Sequence, residues 1–341
     1  MTMYSCDEPL AEAFDQLLMD LDGVCYLGAA PAPFAAEGMA EARRRGALPV
    51  YITNNSSRPP SAVAEHLTSL GIPTEPGEIL NSAQTAVMQA IKAVGPGAKV
   101  LAIGGAGVQE AVVEGGLIPV ESADDEPAVV IQGMSEKLAW IDLSEAFLAL
   151  QRGAIHVATN LDATLPKERG FMIGNGSMVA AVVNATGLKP LSSGKPAPDM
   201  YLLAVEKTGA KNPLAVGDRL NTDIRGANAA GFKSLHVLTG VSDARDVMLA
   251  VDEERPSFLG LNLRDLSLPV PPVTSENGEF RCEESVASMD GNDLVVDGER
   301  NPVRMSLNGY RAAVGAVWAA IDGGVSREDL AHLPIVEVYR P

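Results

Sequence analysis

Short apolar runs alternate with segments of helical periodicity through most of this chain, and turn residues separate them. Leu17-Leu18-Met19 reads as a buried strand. Residues 35–45 read as a helix stopped near Gly46, and residues 48–52 as a second strand. The alternation continues with a helix over 61–70 and another over 83–93. A strand is expected over 99–103, a helix over 108–114, a strand over 128–131, a helix over 143–151 and a strand over 155–158. Further on come a helix to about Thr208, a strand over 213–217, a helix over 224–230, a strand over 232–238 and a last strand and short helix over 256–266. Strands alternating with helices predict a parallel, Rossmann-like α/β core. Residues 83–190 are expected to form a self-contained α/β insert, with the core carried by 1–82 and 191–268. Residues 269–278, rich in Pro, Ser and Glu, read as a linker. Beyond it, strands are expected over 281–287, 293–296 and 335–339. Leu307, Tyr310, Val314, Val317, Trp318 and Ile321 recur at helical spacing. This small α+β tail carries no nameable chemistry and reads as an accessory or oligomerisation piece.

Polar clusters fall at the ends of the predicted strands. The first is Asp20-Leu21-Asp22-Gly23-Val24. Side chains two apart on a strand share a face, so both carboxylates can enter one pocket. Like charges so close require a shared proton or a cation, and Mg2+ takes oxygen ligands of this kind. Alternatively, Asp22-Gly23 is a turn and Asp20 a solvated strand end. The second cluster, Thr53-Asn54-Asn55-Ser56-Ser57, precedes a helix, where hydroxyls, amides and free N–H groups capture anions. Capping alone accounts for one such residue, not five. The third is Lys195, fixed between Gly194 and Pro196. The fourth is Asp218-Arg219-Leu220-Asn221-Thr222-Asp223, after the strand over 213–217. In open parallel sheets, ligands bind outside the carboxyl ends of the strands. Two acids for a cation, a hydroxyl-amide cradle and a lysine make a phosphate site with its metal.

Composition narrows the partners. A formal charge of −18 argues against a nucleic-acid backbone as a partner and disfavours an anionic membrane surface. No apolar run approaches membrane-spanning length, and no secretory signal is read at residues 1–8, so a cytoplasmic location is expected. Cys6, Cys25 and Cys282 are too few for a disulfide framework. Gly105 and Gly107 begin a dinucleotide fingerprint, but Glu110 stands at its third position, so the glycines read as a tight turn. His156, inside an apolar run, reads as a core residue.

The four clusters, in this order, resemble the motifs of the haloacid-dehalogenase-like phosphatases. The large insert resembles the cap of the branch named for p-nitrophenyl phosphatase. The resemblance covers about residues 15–266. It implies Asp20 as nucleophile, Asp22 as general acid and base, and Thr53, Asn54, Asn55 and Lys195 around the phosphoryl oxygens. It implies Mg2+ held by the Asp20 carboxylate, the Asp22 carbonyl and Asp218, with Asn221 and Asp223 supporting that shell. Asn221 stands where relatives often have Asp. The cap would choose the leaving alcohol of a small phosphomonoester, with Asn160, Asp162 and the stretch Lys167-Glu168-Arg169 as candidates to face it. Glycerol 3-phosphate is the expected substrate, with phosphoglycolate or a nucleotide monophosphate as alternatives. A catalytically silent binding protein on the same fold is the reading from another class, against which the intact Asp20, Asp22, Lys195 and Asp218 argue.

Overall fold

The structure, a computed structural model, describes residues 3–167 and 169–340. The chain divides into two compact units, Met1–Pro49 with Gly209–Pro341, and Val50–Thr208.

The first unit is organised by parallel strands. Gln16–Met19 pairs with Pro213–Gly217, which pairs with Lys233–Val237, which pairs with Phe258–Gly260. Leu17, Leu18 and Met19 are fully buried, as a strand covered on both faces requires. The helix Ala35–Arg44 closes at Gly46, as its sequence indicates.

The tail is part of this unit's core. Thr274–Glu276, Glu279–Cys282, Ser285–Asp290, Asp293–Val296 and Glu299–Arg300 form an antiparallel sheet in sequence order. The helix Leu307–Asp322 presents Tyr310, Val314, Val317 and Trp318 to one hydrophobic cluster. Leu220, Ile224, Val247, Met248 and Leu259 belong to the same cluster. Two expectations change here. The stretch 269–278 is not all linker, because Asn277 and Gly278, both at positive φ, turn Thr274–Glu276 back onto the next strand. The strand expected over 281–287 is two strands, broken at a turn where Glu283 has φ +50°. The closing strand, Glu337–Tyr339, pairs in parallel with Arg304–Ser306.

The second unit holds a five-stranded parallel sheet in the order Leu191–Ser192, Ile155–Ala158, Val129–Gln132, Lys99–Ile103, Ile118–Val120. It also holds the parallel pair Pro49–Thr53 and Ile79–Asn81. The glycines at 105 and 107 are explained by close backbone approach. A Cβ on Gly107 would lie 2.5 Å from the Ser56 carbonyl oxygen. Several elements escape the sequence pattern: the short strands Ile79–Asn81, Ile118–Val120 and Leu191–Ser192, the hairpin Thr164–Lys167 with Gly170–Ile173, and the helix Asn175–Thr186.

Candidate active site

The strand Gln16–Met19 ends one residue before Asp20, whose N–H donates to the Val216 carbonyl at 2.9 Å. Immediately afterwards the chain folds back. The amides of Val24, Cys25 and Tyr26 all donate to the Leu21 carbonyl. Asp20 and Asp22 therefore do not continue a strand face. Asp20 is buried, while Asp22 is exposed. The Cys25 thiol donates to the Asp20 carbonyl at 3.4 Å, and burial pushes its pKa well up, with the charges of Asp20 and Asp22 adding to the effect. It is packed and protonated rather than reactive.

Asp20, Asp218 and Asp223 bring carboxylate oxygens within 4.8 Å of one another, and all three side chains are buried. Burial without compensation would neutralise such a group. A hard divalent cation with oxygen ligands fits this donor set. The surroundings make room for the Asp218 carboxylate. A Cβ on Gly23 would lie 2.2 Å from Asp218 Oδ2, and one on Gly240 would lie 1.9 Å from the same atom. That oxygen accepts the Val241 N–H at 2.7 Å. The Thr239 hydroxyl donates to the Gly23 carbonyl at 2.5 Å, which fixes the loop around the acid. Asp223 lies in a wide turn, Leu220–Ile224, and accepts the Arg219 N–H at 3.2 Å. Asp223 thus stands among the clustered acids rather than behind them. Asn221 is exposed on the same turn, and its side chain makes no hydrogen bond among the described residues. The loop 239–241 was missed in the sequence because its glycine follows a strand and resembles an ordinary turn.

In the second unit, the strand Pro49–Thr53 leads into the polar cluster. Thr53, buried, accepts the Asn55 N–H at 3.1 Å through its hydroxyl oxygen. Asn55 in turn accepts the N–H and the hydroxyl of Ser57, at 3.0 and 2.7 Å. The Asn54 side chain is committed to the lysine loop. Its Oδ1 accepts the Lys195 N–H at 2.7 Å, and its Nδ2 donates to the Lys195 carbonyl at 3.1 Å. That Nδ2 also lies 3.2 and 3.4 Å from the Asp162 carboxylate oxygens. Lys195 is buried, with Nζ donating to the Ile52 carbonyl at 3.4 Å.

The cap turn 159–162 is anchored to the same segment. Asn160 is buried; its Nδ2 donates to the Asn54 carbonyl at 2.7 Å and its Oδ1 accepts the Asp162 N–H at 3.2 Å. Asn160 therefore shapes the turn with both ends of its amide, and Asp162 is the turn residue with a partly exposed side chain. Asn175, missed in the sequence, donates from Nδ2 to the Asn160 carbonyl at 2.8 Å. A Cβ on Gly176 would lie 2.1 Å from the Leu161 carbonyl oxygen, so the helix start presses on the turn. Arg169 is exposed at the hairpin turn between Thr164–Lys167 and Gly170–Ile173. Glu168, in the same stretch, lies outside the described residues.

Comparison with known proteins agrees with these motifs. A family model described as haloacid dehalogenase-like hydrolase matches residues 17–118, and a HAD-hydrolase-like model matches residues 192–266. The sequence is 44% identical over 257 residues to a D-glycerol 3-phosphate phosphatase of Mycobacterium tuberculosis, covering 75% of this chain and 72% of that protein. It is 36% identical to an acid sugar phosphatase of Staphylococcus aureus over 72% of this chain and 94% of that one. A crystal structure of the Mycobacterium tuberculosis glycerol phosphate phosphatase with magnesium superposes with a TM-score of 0.82 at 39% identity, covering 92% of each chain. A p-nitrophenyl phosphatase from Archaeoglobus fulgidus superposes with a TM-score of 0.69 at 27% identity, covering 74% of this chain and 98% of that one. The chain belongs to the haloacid dehalogenase-like hydrolases. It is a phosphatase of that family, with the parallel-sheet core that the strand pattern predicts. Among the described residues no helix is long and apolar enough to cross a membrane.

Proposed function

We propose that the protein hydrolyses a small phosphomonoester, glycerol 3-phosphate, with Mg2+ as cofactor and through a phosphorylated Asp20. The observation that carries the chemistry is the buried carboxylate group of Asp20, Asp218 and Asp223, walled by Gly23 and Gly240. The relatives named as glycerol phosphate phosphatase, one crystallised with magnesium, support the choice of ester and of ion.

Asp20, Asp218 and Asp223, with the Asp22 carbonyl, would hold the ion, which offsets charge between the nucleophile and the phosphoryl group. Asp20 attacks phosphorus: a bond forms from its carboxylate oxygen and the ester P–O bond breaks. Asp22, on the exposed side of the turn, gives its proton to the departing alkoxide. It then takes a proton from the water that attacks the aspartyl-phosphate, which returns Asp20 and releases inorganic phosphate. The Thr53 hydroxyl and the Lys195 ammonium hold phosphoryl oxygens as charge shifts between them. Asn54 and Asn55 hold the two loops that present these groups. Asp162 faces the alcohol and accepts its hydroxyl protons. Residues 83–190 act as the cap that chooses the leaving group, and a cytoplasmic place suits a metabolite substrate of this kind.

Phosphate release from glycerol 3-phosphate, phosphoglycolate, a nucleotide monophosphate and p-nitrophenyl phosphate tests this reading, with Mg2+ and with chelator. Glycerol 3-phosphate is expected to give the highest kcat/KM and chelator to abolish all turnover. Turnover in chelator would remove the metal from the mechanism. A higher kcat/KM for phosphoglycolate would reassign the substrate.

A further inference from the structure

We infer that Asn54 is a positioning residue through which recognition of the alcohol by Asp162 and placement of Lys195 become one event. The inference rests on the phosphatase reading and adds a coupling between two of its parts. Three segments far apart in sequence meet at this one side chain and its own carbonyl. The amide closes a two-point clamp on the Lys195 peptide, accepting from its N–H at 2.7 Å and donating to its C=O at 3.1 Å. The same Nδ2 faces Asp162, 3.2 Å from Oδ2. The Asn54 carbonyl accepts from Asn160 Nδ2 and from the Ser82 hydroxyl, both at 2.7 Å. Gly194 leaves the space: a Cβ there would stand 2.7 Å from Asn54 Oδ1.

An amide has one acceptor oxygen and two N–H donors, and its orientation is fixed once the oxygen is assigned. Here Lys195 N–H requires the oxygen, which turns the donors toward the Lys195 carbonyl and Asp162. Displacing Asp162 therefore tilts the amide that holds the lysine loop, and displacing the loop withdraws a donor from Asp162. Both N–H donors of the asparagine are engaged and its oxygen already accepts from Lys195, so the effect of Asn54 on catalysis passes through its two neighbours. Positioning errors near 1 Å cost rate steeply, on the order of 100-fold.

A double-mutant cycle in the full chain tests this. Asn54→Ala, Asp162→Ala and the double variant are assayed for kcat and KM on glycerol 3-phosphate and p-nitrophenyl phosphate, with melting temperatures measured alongside. Asn54→Ala is expected to lower kcat on both esters and in addition to raise KM for glycerol 3-phosphate. Asp162→Ala is then expected to cost at least about fivefold less in the Asn54→Ala background than alone, because contacting residues couple. The aryl ester, which has no hydroxyl for Asp162, should show only the share of the coupling that passes through Lys195, smaller than that for glycerol 3-phosphate. Asn54→Asp keeps the acceptor for Lys195 N–H but loses the donors and repels Asp162. It should impair glycerol 3-phosphate more than the aryl ester, and it carries the comparison should the alanine variant fail to fold. Additive costs with an active wild type, or equal losses on both esters, overturn the inference. A wild type inactive on both esters overturns the functional reading itself.

Discussion

Both terminal nitrogens of Arg255 reach the carboxylate of Asp322, at 2.9 and 2.8 Å. Arg255 is fully buried, lies 5.0 Å from the Trp318 ring and has Asp252 as a second acid at 3.4 Å. A buried guanidinium needs such partners, since charge taken out of water is costly. Asp322 ends the tail helix and Arg255 precedes the core strand Phe258–Gly260, so the pair joins tail to core. Its pKa lies below the usual carboxylate range because Arg255 donates to it.

Removing one partner should cost more than removing both. Asp322→Ala leaves Arg255 with the exposed Asp252 alone, and roughly 2 kcal/mol should be lost, less than a fully buried pair because Asp322 is half exposed. Arg255→Met with Asp322→Leu leaves no charge behind and should recover part of that loss. Urea unfolding of the three chains decides it: a double variant less stable than Asp322→Ala would contradict the argument.

The tail should be indispensable for folding. Tyr310, Val314, Val317 and Trp318 share one hydrophobic cluster with Leu220, Ile224, Val247 and Leu259, and the Trp318 N–H donates to the Val247 carbonyl at 2.9 Å. A chain stopped after Pro269 would expose that cluster to water. It is expected to aggregate or to lose cooperative unfolding. A soluble truncated chain with native melting behaviour would return the tail to an accessory role.

The parts of this molecule that were legible in the sequence are those with local, repetitive signals. The strand Lys99–Ile103 carries an uninterrupted apolar run between turn residues and was readable to its last residue. The acids at 20 and 218 stand just after strands, and Asp223 in the turn beyond the second of them, where a parallel sheet places ligands. The helix Asn175–Thr186 was not legible, because its apolar run has little periodicity and its leading glycines resemble chain breakers. Only the structure shows that Gly174 and Gly176 are there to let the turn 161–163 approach. The break at Glu283 was hidden because the turn uses a glutamate at positive φ where Gly or Asn is usual. The role of Asn54 was illegible for another reason: a polar residue before a helix looks the same whether it binds a ligand or another loop.

Acid should destabilise the second unit through His156. The imidazole is buried, and burial lowers its pKa from 6.5 to about 4, while its Nε2 lies 3.0 Å from Gln132 Oε1. The unfolded chain binds a proton at this position near pH 6.5 and the folded chain does not until about pH 4. Stability is therefore full above the first value and declines as pH falls toward the second, by roughly 3 kcal/mol at most. His156→Gln removes the titrating group. Its melting temperature should fall less than that of the wild type between those two pH values, and parallel curves would place the acid sensitivity elsewhere.

Asp20→Asn tests the nucleophile with little change in shape. The amide cannot form the phosphorylated carboxylate, so turnover should fall by about 10³-fold or more. The melting temperature should hold or rise, because a buried carboxylate close to two others has lost its charge. Substantial turnover in the folded variant would exclude the covalent route.

Gly240→Ala asks whether the loop beyond the third parallel strand belongs to the metal site. The backbone there needs no glycine for its φ, so the substitution adds volume and nothing else. That volume falls on Asp218: the new Cβ would stand 1.9 Å from Oδ2 and 2.4 Å from the carboxyl carbon. Contacts of this length cannot persist, so either the carboxylate rotates or the loop moves away. Rotation would cost the hydrogen bond from Val241 N–H and would carry the oxygen away from Asp20 and Asp223. Loop movement would break the same bond. In both cases the ion loses a well-placed ligand, and ligand misplacement lowers metal affinity by about 10–100-fold. The Mg2+ concentration for half-maximal activity should rise by that factor, with kcat at saturating Mg2+ less affected. Isothermal titration of Mg2+ into the variant and the wild type, without substrate, reads the affinity directly. An unchanged Mg2+ affinity in the folded variant would mean that Asp218 is not held by this glycine cradle, and that the ion does not depend on its position.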